Sequence, residues 1–487
     1  MSVGDELSGS ASCLSEFYLN VAEAAKLLLG YIDQGTSIRV VSHIDADGLT
    51  SASIIGRALH RGGAEFRIRN VKQIDPPLLK ELGSEEPTPI VFCDLGSGNL
   101  EILKTAFREN DVIVLDHHQP VGDTFARLCQ VNPHLHGFDG AKEICSAGVC
   151  YLTAKAFDGS NTDLAGIAVV GALGDSQDKF EKRSLGGLNE CIVKDAVDAG
   201  HISVEEDLIL YGRETRPIHK ALAYTTNPFI PGLSGEQDKC LAFVTNIGIE
   251  VKKGDRWTAI NDLNGDEKQL LFSELAKYMT AKRLTSKAVM NLIGTIYTLV
   301  QEDHGMPLRD GREYASLLNA CGKMSKTGLG VTIGLGNRLA ALDEALEVFT
   351  KYKKKLSNYM EWISSTPRSI ERHENINVIN GSGIIDELML STIASMVTSS
   401  GILDESKPIV AITGAEGGMV KVSGRLPDDL KGRVNLGSIF HESSEKMSGV
   451  GGGHDVAAGA EFPKERETEF IKIVDEKVGL ILRSPKK

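Results

Sequence analysis

Three short apolar runs near the start of the chain each lead into a cluster of acidic or histidine side chains. The runs and their clusters are Ile38–Val41 with His43-Ile44-Asp45-Ala46-Asp47-Gly48, Ile90–Cys93 with Asp94, and Val112–Leu115 with Asp116-His117-His118. Helix-like stretches separate the runs, and alternation of strand, loop and helix is typical of a parallel α/β sheet. Because ligands bind at the carboxyl ends of such strands, we expect the three clusters to meet at one edge of the sheet.

A fourth cluster, Gly171-Ala172-Leu173-Gly174-Asp175-Ser176, lies at the end of the apolar run Leu164–Leu173. The periodicity of this run does not distinguish a strand from a buried helix. Alone, Asp175 would be no more than a helix-capping residue. As the fourth acidic group in a series of the same kind, it is a further candidate for the predicted edge.

These clusters predict a metal site. Several carboxylates at one edge would repel one another strongly unless cations neutralised them. Imidazole and carboxylate together suit manganese, magnesium, zinc or iron, and no thiolate is present to favour zinc. We expect Asp45 and Asp47, two residues apart in a loop, to point at two neighbouring ions. Two ions about 3.5–4 Å apart stabilise both the attacking and the leaving oxygen of a phosphoryl displacement.

Later segments suggest how the chain is divided. Residues 186–330 carry no metal or phosphate signature. The apolar spacing from Leu339 to Ile363 predicts one long connector helix that stops before Pro367. From about Glu371 the pattern alternates between strand and helix again. We therefore expect a catalytic domain over 1–185, an insertion and the rest of the catalytic lobe over 186–338, a connector over 339–366 and a smaller α/β domain over 367–487.

Composition limits the function classes. Lys and Arg number 53 and Asp and Glu number 66, a net charge of −13, which excludes a protein that binds polyanions by bulk charge alone. The eight cysteines form no Cys-x-x-Cys pair, which indicates a reducing compartment. The N-terminus lacks a signal-peptide pattern, and the longest apolar run is about half of a membrane span. We therefore expect a soluble cytoplasmic protein with no membrane partner.

The motifs together resemble a known family. His43-x-Asp45-x-Asp47-Gly48, Asp94, Asp116-His117-His118 and Asp175 are similar to motifs I to IV of the DHH phosphoesterase superfamily. Ser423-x-Arg425 and Gly451-Gly452-Gly453-His454 are similar to its C-terminal DHH-associated domain. The combination resembles RecJ-type single-strand exonucleases, and most closely the archaeal branch, which includes nucleases associated with the replisome GINS complex.

The resemblance implies a role for each motif residue. His43, Asp45 and Asp94 would hold one divalent ion, and Asp47, Asp94, His117 and Asp175 the second, so Asp94 would bridge the two. His118 would face the scissile phosphate and Asp116 would orient the histidine pair. The implied cofactors are two ions, manganese in the first place and magnesium as the alternative.

The residue types of the C-terminal motif suit phosphate binding. Three consecutive glycines allow backbone N–H groups to approach a phosphate as a nest, and His454 can donate beside them. Arg425 supplies a bidentate phosphate contact and Ser423 a neutral one. We therefore expect Ser423, Arg425, Gly451, Gly452, Gly453 and His454 to bind substrate. Tyr224, Phe229, Trp257 and Trp362 could stack bases, but core packing is the expectation for each.

The predicted function is a metal-dependent exonuclease that hydrolyses single-stranded DNA or RNA by a two-metal mechanism. An oligoribonuclease or cyclic-dinucleotide phosphodiesterase would use the same parts, although the long 186–330 segment would be superfluous for a short substrate. The non-enzymatic alternative is a replisome scaffold, in which metal ligands would be lost. The expected partners are single-stranded nucleic acid and, for the insertion, GINS or another replisome protein.

Overall fold

The chain divides into two compact units. The computed structural model describes residues 3–225, 228–400, 403 and 406–483. One unit comprises Met1–Tyr224 and Glu236–Phe349, and the other Thr225–Gly235 and Thr350–Lys487. The boundary near residue 350 falls inside the long helix Ala340–Ser365, which stops just before Pro367 as the apolar spacing predicts.

The first unit contains the parallel sheet that the apolar runs predict. Its strands are β1 (Ile38–His43), β2 (Phe66–Val71), β3 (Ile90–Cys93), β4 (Val112–Leu115) and β5 (Leu128–Val131). They are all parallel, in the order β2-β1-β3-β4-β5. The direction of chain progression therefore reverses between β1 and β3, and ligands of open parallel sheets bind at such a reversal. His43 ends β1 and Asp94 directly follows β3.

Helices cover the sheet and extend the first unit. They are α1 (Val3–Asp33), α2 (Ala46–Arg61), α3 (Pro76–Gly83), α4 (Leu100–Ala106), α5 (Ser146–Phe157), α6 (Ala165–Gly174), α7 (Leu188–Asp198), α8 (Ile218–Tyr224), α9 (Gln237–Asn246), α10 (Gly265–Ala281), α11 (Ser286–Met290), α12 (Gly311–Lys323) and α13 (Thr327–Gly334), and α14 (Ala340–Ser365) follows. Residues 186–338 also hold two small antiparallel pairs, β6 (Ile202–Leu208) with β9 (Ile293–Leu299) and β7 (Lys252–Lys253) with β8 (Arg256–Trp257).

Burial explains why the central strands are almost wholly apolar. Every residue of β3 and β4 is buried, as expected for parallel strands that carry helices on both faces. The apolar run Leu164–Leu173, which the sequence left open, forms helix α6. Its buried residues lie on all sides of the helix, so the run shows no amphipathic period.

The second unit is built on a mixed sheet of six strands. These are β10 (Ile370–Arg372), β11 (Asn377–Asn380), β12 (Ile409–Gly414), β13 (Met419–Arg425), β14 (Val450–Gly453) and β15 (Ala457–Pro463). Their order is β10-β11-β12-β13-β15-β14, and only β11 and β12 run parallel. Helices α15 (Leu390–Ser399), α16 (Leu436–Lys446) and α17 (Glu467–Arg483) complete the unit. Its core joins Phe440 of α16, Phe462 of β15 and Phe470 of α17.

The expectation that the large aromatic residues pack in the core is wrong for three of the four. Tyr224 is 44% exposed, Phe229 38% and Trp257 39%, and only Trp362, on α14, is partly buried. No helix among the described residues is both long enough and apolar enough to cross a membrane.

Candidate metal centre

The first motif spans the end of β1 and the start of α2. Asp45 caps α2, because its carboxylate accepts a hydrogen bond of 3.0 Å from Gly48 N. Asp47 lies in the first helical turn and not in a loop, which corrects the sequence expectation for this residue. The chain therefore turns sharply after His43, whose Nδ1 lies 3.0 Å from Asp45 Oδ2.

Asp94 lies at the centre of the cluster. It adopts a left-handed backbone conformation with φ of 61°, which is uncommon outside glycine. Its side chain is 1% exposed, and neither carboxylate oxygen has a hydrogen-bond partner among the described residues. Asp94 Oδ2 lies 3.5 Å from His43 Nδ1, and Oδ1 lies 3.5 Å from His117 Nε2. A buried carboxylate without donors requires a cation to balance it.

Asp116 holds the loop of the histidine pair. Its carboxylate accepts hydrogen bonds from the backbone N–H groups of Ser97, His117 and His118. His118 Nδ1 lies 2.8 Å from the same carboxylate, so Nε2 is the ring nitrogen left for another contact. The His118 side chain is 56% exposed, whereas that of Asp116 is 1% exposed. Asp116 therefore orients the loop, and His118 is accessible from solvent.

His117 points towards the carboxylates because its other nitrogen is held from behind. Nδ1 lies 2.7 Å from the carbonyl oxygen of Gly140, and Nε2 lies 3.8 Å from Asp47 Oδ2. Only glycine fits at position 140, since a Cβ there would lie 2.1 Å from the carbonyl oxygen of His117. This backbone contact fixes which nitrogen faces the cluster.

Asp175 joins the cluster from the C-terminal end of helix α6. Its Oδ2 lies 3.8 Å from His117 Nδ1 and accepts a hydrogen bond of 2.9 Å from Gln177 Nε2. Gln177 also donates to the Gly140 carbonyl oxygen at 2.8 Å and accepts from Asn189 at 2.7 Å. Sequence analysis missed Gln177 and Gly140. The only available signal for Gln177 was its position two residues after Asp175.

Asp47 is held by the start of helix α5. Its two carboxylate oxygens accept hydrogen bonds of 2.9 Å from the backbone N–H groups of Ser146 and Ala147. The N-terminus of a helix favours negative charge, so this contact stabilises the ionised carboxylate. These residues lie about a hundred positions along the chain from Asp47, and no local pattern indicated the contact.

The charges of the cluster are strongly interdependent. Burial, together with the neighbouring Asp94 carboxylate, raises the pKa of Asp47 well above its usual range. Burial also disfavours ionisation of Asp94, but His117 and His43 outweigh it and hold the Asp94 pKa well below the ordinary value. Burial opposes both charges of the Asp116–His118 pair. Their hydrogen bond nevertheless lowers the pKa of Asp116 to about 2 and raises that of His118 to about 9.

The donor set fits two cations that share Asp94. His43, Asp45 and Asp94 offer ligand atoms within 4.8 Å of one another, and so do Asp94, His117 and His118. The second group differs in part from the predicted set, because it contains His118, while Asp47 and Asp175 lie near His117. All the predicted metal residues of the first unit therefore meet at one place.

The predicted substrate residues lie in the second unit. Arg425, at the end of β13, donates hydrogen bonds to Ser395 Oγ at 2.8 Å and to Ser423 Oγ at 3.1 Å. It forms no ion pair with any carboxylate of the described residues. Burial lowers the pKa of its guanidinium. Arg425 is thus a positioned cation whose charge is not neutralised within the described chain.

The three consecutive glycines form a strand and not the curved nest that the sequence suggested. Gly451–Gly453 belong to β14, which pairs antiparallel with β15 at the edge of the sheet, and His454 follows it. Gly453 has φ of 134°, and a Cβ on Gly437 of α16 would lie 2.2 Å from the Gly453 carbonyl oxygen. Glycine is therefore required at position 437, where α16 packs closely on β14.

Comparison with known proteins covers most of the chain. A model of the DHH family N-terminal domain matches residues 37–172, a model of the DHH-CID domain matches 210–293, and a model of the DHHA1 domain matches 376–480. An uncharacterized protein of Methanocaldococcus jannaschii is 33% identical over 458 residues, which cover 92% of this chain and 94% of the relative.

Solved structures share the fold. RecJ from Thermus thermophilus in complex with Mn²⁺ matches with a TM-score of 0.58 and 18% identity over 96% of this chain, which spans 55% of that RecJ chain. An exonuclease RecJ bound to manganese matches with a TM-score of 0.56 and 18% identity, and the match covers 96% of this chain and 95% of that RecJ chain. CDC45 from Entamoeba histolytica matches with a TM-score of 0.63 and 12% identity, and the match covers 95% of this chain and 99% of the CDC45 chain.

The family models follow one another along the chain in the same order as the motifs of the two units. The DHH N-terminal model covers the parallel sheet with His43, Asp94 and His117, and the DHHA1 model covers the second unit with Arg425 and Gly453. Over almost its whole length the chain also aligns with a relative of matching length. This protein belongs to the DHH family and combines a DHH N-terminal domain, a DHH-CID domain and a DHHA1 domain.

Proposed function

We propose that this protein is a divalent-metal-dependent exonuclease that hydrolyses phosphodiester bonds in single-stranded DNA or RNA. The observation that carries the proposal is the buried Asp94 carboxylate. Its two oxygens have no hydrogen-bond donor in the described part of the chain and face His43 on one side and His117 on the other. The likeness to RecJ structures that contain Mn²⁺ or Mg²⁺ supports the choice of metal.

In this proposal His43, Asp45 and Asp94 hold one ion, and Asp94 with His117, Asp47 and Asp175 holds the second. When bound, the two ions supply Lewis-acid stabilisation of the phosphate and activation of a water at neutral pH. The metal identity is manganese in the first place and magnesium as the alternative.

The other residues position these groups and the substrate. Asp116 fixes His118 through its Nδ1, so the exposed Nε2 donates a hydrogen bond to a phosphate oxygen. Gly140 and Gln177 orient His117 and Asp175 from behind. Ser423, Arg425, Gly451, Gly452, Gly453 and His454 of the DHHA1 domain bind the phosphates of the strand.

The test is hydrolysis of end-labelled DNA and RNA strands by the full chain, with a blunt duplex of the same sequence beside them. We expect no hydrolysis in chelator, recovery with manganese or magnesium but not with calcium, and a ladder of shortened single strands. Full turnover in excess chelator contradicts the two-metal proposal, and equal cleavage of blunt duplex contradicts the single-strand proposal.

The same assay separates the alternative enzymes. Strands of two to four nucleotides and a cyclic dinucleotide are tested against a strand of about 20 nucleotides. Turnover restricted to the short or cyclic substrates would identify an oligoribonuclease or a cyclic-dinucleotide phosphodiesterase and would overturn the exonuclease proposal.

A second proposal concerns partners. The DHH-CID domain match lies within the segment that carries no metal residues, and the fold of CDC45 extends over 95% of this chain. We infer that the segment 186–338 binds GINS or another replisome protein. Capture of purified GINS by the immobilised full chain supports this, and retention of no more than a bead control rejects it. Absence of hydrolysis with every divalent ion, together with capture, would favour a scaffold over an enzyme.

A further inference from the structure

Three side chains of the DHH-CID region form a layered stack on the surface of the first unit. The guanidinium carbon of Arg216 lies 4.6 Å from the ring centroid of Tyr211 and 4.6 Å from that of Tyr224. The two tyrosines are 43% and 44% exposed. We call this group the Tyr–Arg–Tyr stack. The guanidinium thus lies against both rings, and both tyrosine side chains are exposed in part.

The stack is linked to the metal cluster through helix α12. The Tyr211 side chain lies beside Ser316 of this helix. Three residues further along α12, Asn319 accepts a hydrogen bond of 3.0 Å from Ala46 N, beside Asp45. Three helical residues span about 4.5 Å along the axis. Helix α12 therefore contacts both the Tyr–Arg–Tyr stack and the start of α2, beside the predicted ligands Asp45 and Asp47.

The charge of Arg216 is not neutralised by a neighbouring carboxylate. Nearby arginines of the same unit are paired: Arg213 contacts Asp207, and Arg312 contacts Asp178 at 2.9 Å. Arg216 forms no such ion pair with any described residue, and its cation–π contacts leave guanidinium N–H groups for an anion. The exposed ring of Tyr224 and the guanidinium of Arg216 match the bases and phosphates of a single strand, whereas the paired bases of a duplex offer no free face.

We propose that the Tyr–Arg–Tyr stack binds the single strand next to the cleavage site, with a nucleobase stacked on a tyrosine ring and a phosphate on Arg216. This rests on the proposed function and specifies its substrate contacts. Tyr211 and Arg216 belong to no metal or phosphate motif of the sequence, and Tyr224 was a stacking candidate for which core packing was the expectation. The site favours no particular base, since every base offers a face for stacking.

The experiment measures binding of a fluorescent 12-nucleotide strand to the full chain in chelator, and its hydrolysis with manganese. Variants Arg216→Ala and Tyr224→Ala should each weaken binding roughly tenfold, whereas Tyr224→Phe, which keeps the ring, should bind within about twofold of wild type. For Arg216→Ala, the ratio of kcat/KM for the 12-mer to that for a dinucleotide should also fall. Circular dichroism and thermal unfolding confirm that each variant is folded.

A matched control is Lys282→Ala, which removes another cation of this region that lies 5.5 Å from the centroid of the Tyr278 ring. It should leave binding unchanged. Wild-type affinity in folded Arg216→Ala and Tyr224→Ala would overturn the proposal, as would an equal loss in Lys282→Ala. So would retained strand affinity combined with lost capture of a protein partner, which would assign the stack to that partner. If the wild type itself does not hydrolyse the strand, the proposed function fails separately.

Discussion

Gln177 Nε2 donates a hydrogen bond of 2.9 Å to Asp175 Oδ2. The second N–H of the same amide donates to the Gly140 carbonyl oxygen at 2.8 Å, which also lies 2.7 Å from His117 Nδ1. Asn189 donates to Gln177 Oε1 at 2.7 Å and so fixes which end of the amide faces Asp175. One buried amide therefore positions two side chains that we assign to the second ion.

We expect Gln177→Met to weaken manganese binding by about 10- to 100-fold, because it keeps the volume but removes both donors that orient Asp175 and the Gly140 carbonyl. Calorimetric titration with manganese measures the change. The matched control is Gln301→Met, since Gln301 is exposed and lies 3.5 Å from the Gly200 carbonyl oxygen. An unchanged dissociation constant in folded Gln177→Met would show that Asp175 needs no such support.

Asp94→Asn tests the shared ligand. Asparagine tolerates the left-handed backbone that Asp94 adopts, so the variant keeps the shape and removes the charge. We expect hydrolysis to fall by several orders of magnitude, since the cations lose the carboxylate between them. Binding of a single strand in chelator should fall far less. Asp111→Asn, at an exposed carboxylate paired with Arg127, is the control. Hydrolysis near the wild-type rate in Asp94→Asn would refute the metal assignment.

Arg425→Ala tests the second unit. Because the guanidinium has no carboxylate partner among the described residues, we expect it to contact phosphate and not base edges. The variant should weaken binding to a similar degree for all sequences and reduce the slope of log affinity against log salt by about one. Arg372→Ala, at an exposed arginine of β10, is the control. A loss confined to one sequence, or an unaltered salt slope, would argue against phosphate binding.

Glu313 gives a pH-dependent prediction away from the metal residues. Burial and the neighbouring Asp310 and Glu214 raise the pKa of Glu313 to about 7, although hydrogen bonds from Thr215 and from the Glu214 backbone partly offset this. Nearby, His304 Nδ1 and Arg309 Nε each lie 4.0 Å from Glu214 Oε1.

Since the folded pKa of Glu313 is above the unfolded one, the protonated form stabilises the fold below about pH 4.5, and this stability is lost as pH rises towards 7. The loss is on the order of 3 kcal/mol at most. Glu313→Gln should remove this decline, so its advantage in thermal unfolding over wild type grows from pH 5 to pH 8. A constant difference between variant and wild type across that range would contradict the raised pKa.

The sequence by itself determined three strands of the parallel sheet and the acidic and histidine residues that meet at its edge. Runs such as Ile90–Cys93 and Val112–Leu115 are apolar throughout because both faces of a parallel strand are buried, and the predicted and observed bounds of these two strands coincide. The position of Asp94 and of Asp116-His117-His118 at the strand ends then follows from the chain alone, because parallel strands bring their carboxyl ends to one edge.

Tertiary structure decided the rest. Whether the run before Asp175 forms a helix or a strand depends on what surrounds it, since a segment buried on all sides carries no periodic signal. The hydrogen bonds from the start of α5 to Asp47 and from Gln177 to Gly140 join residues far apart in the chain. The exposure of Tyr224 likewise depends on how distant segments of the chain pack around it. A local sequence pattern records which face a segment buries, but which residues meet there depends on packing of elements that lie far apart in the sequence.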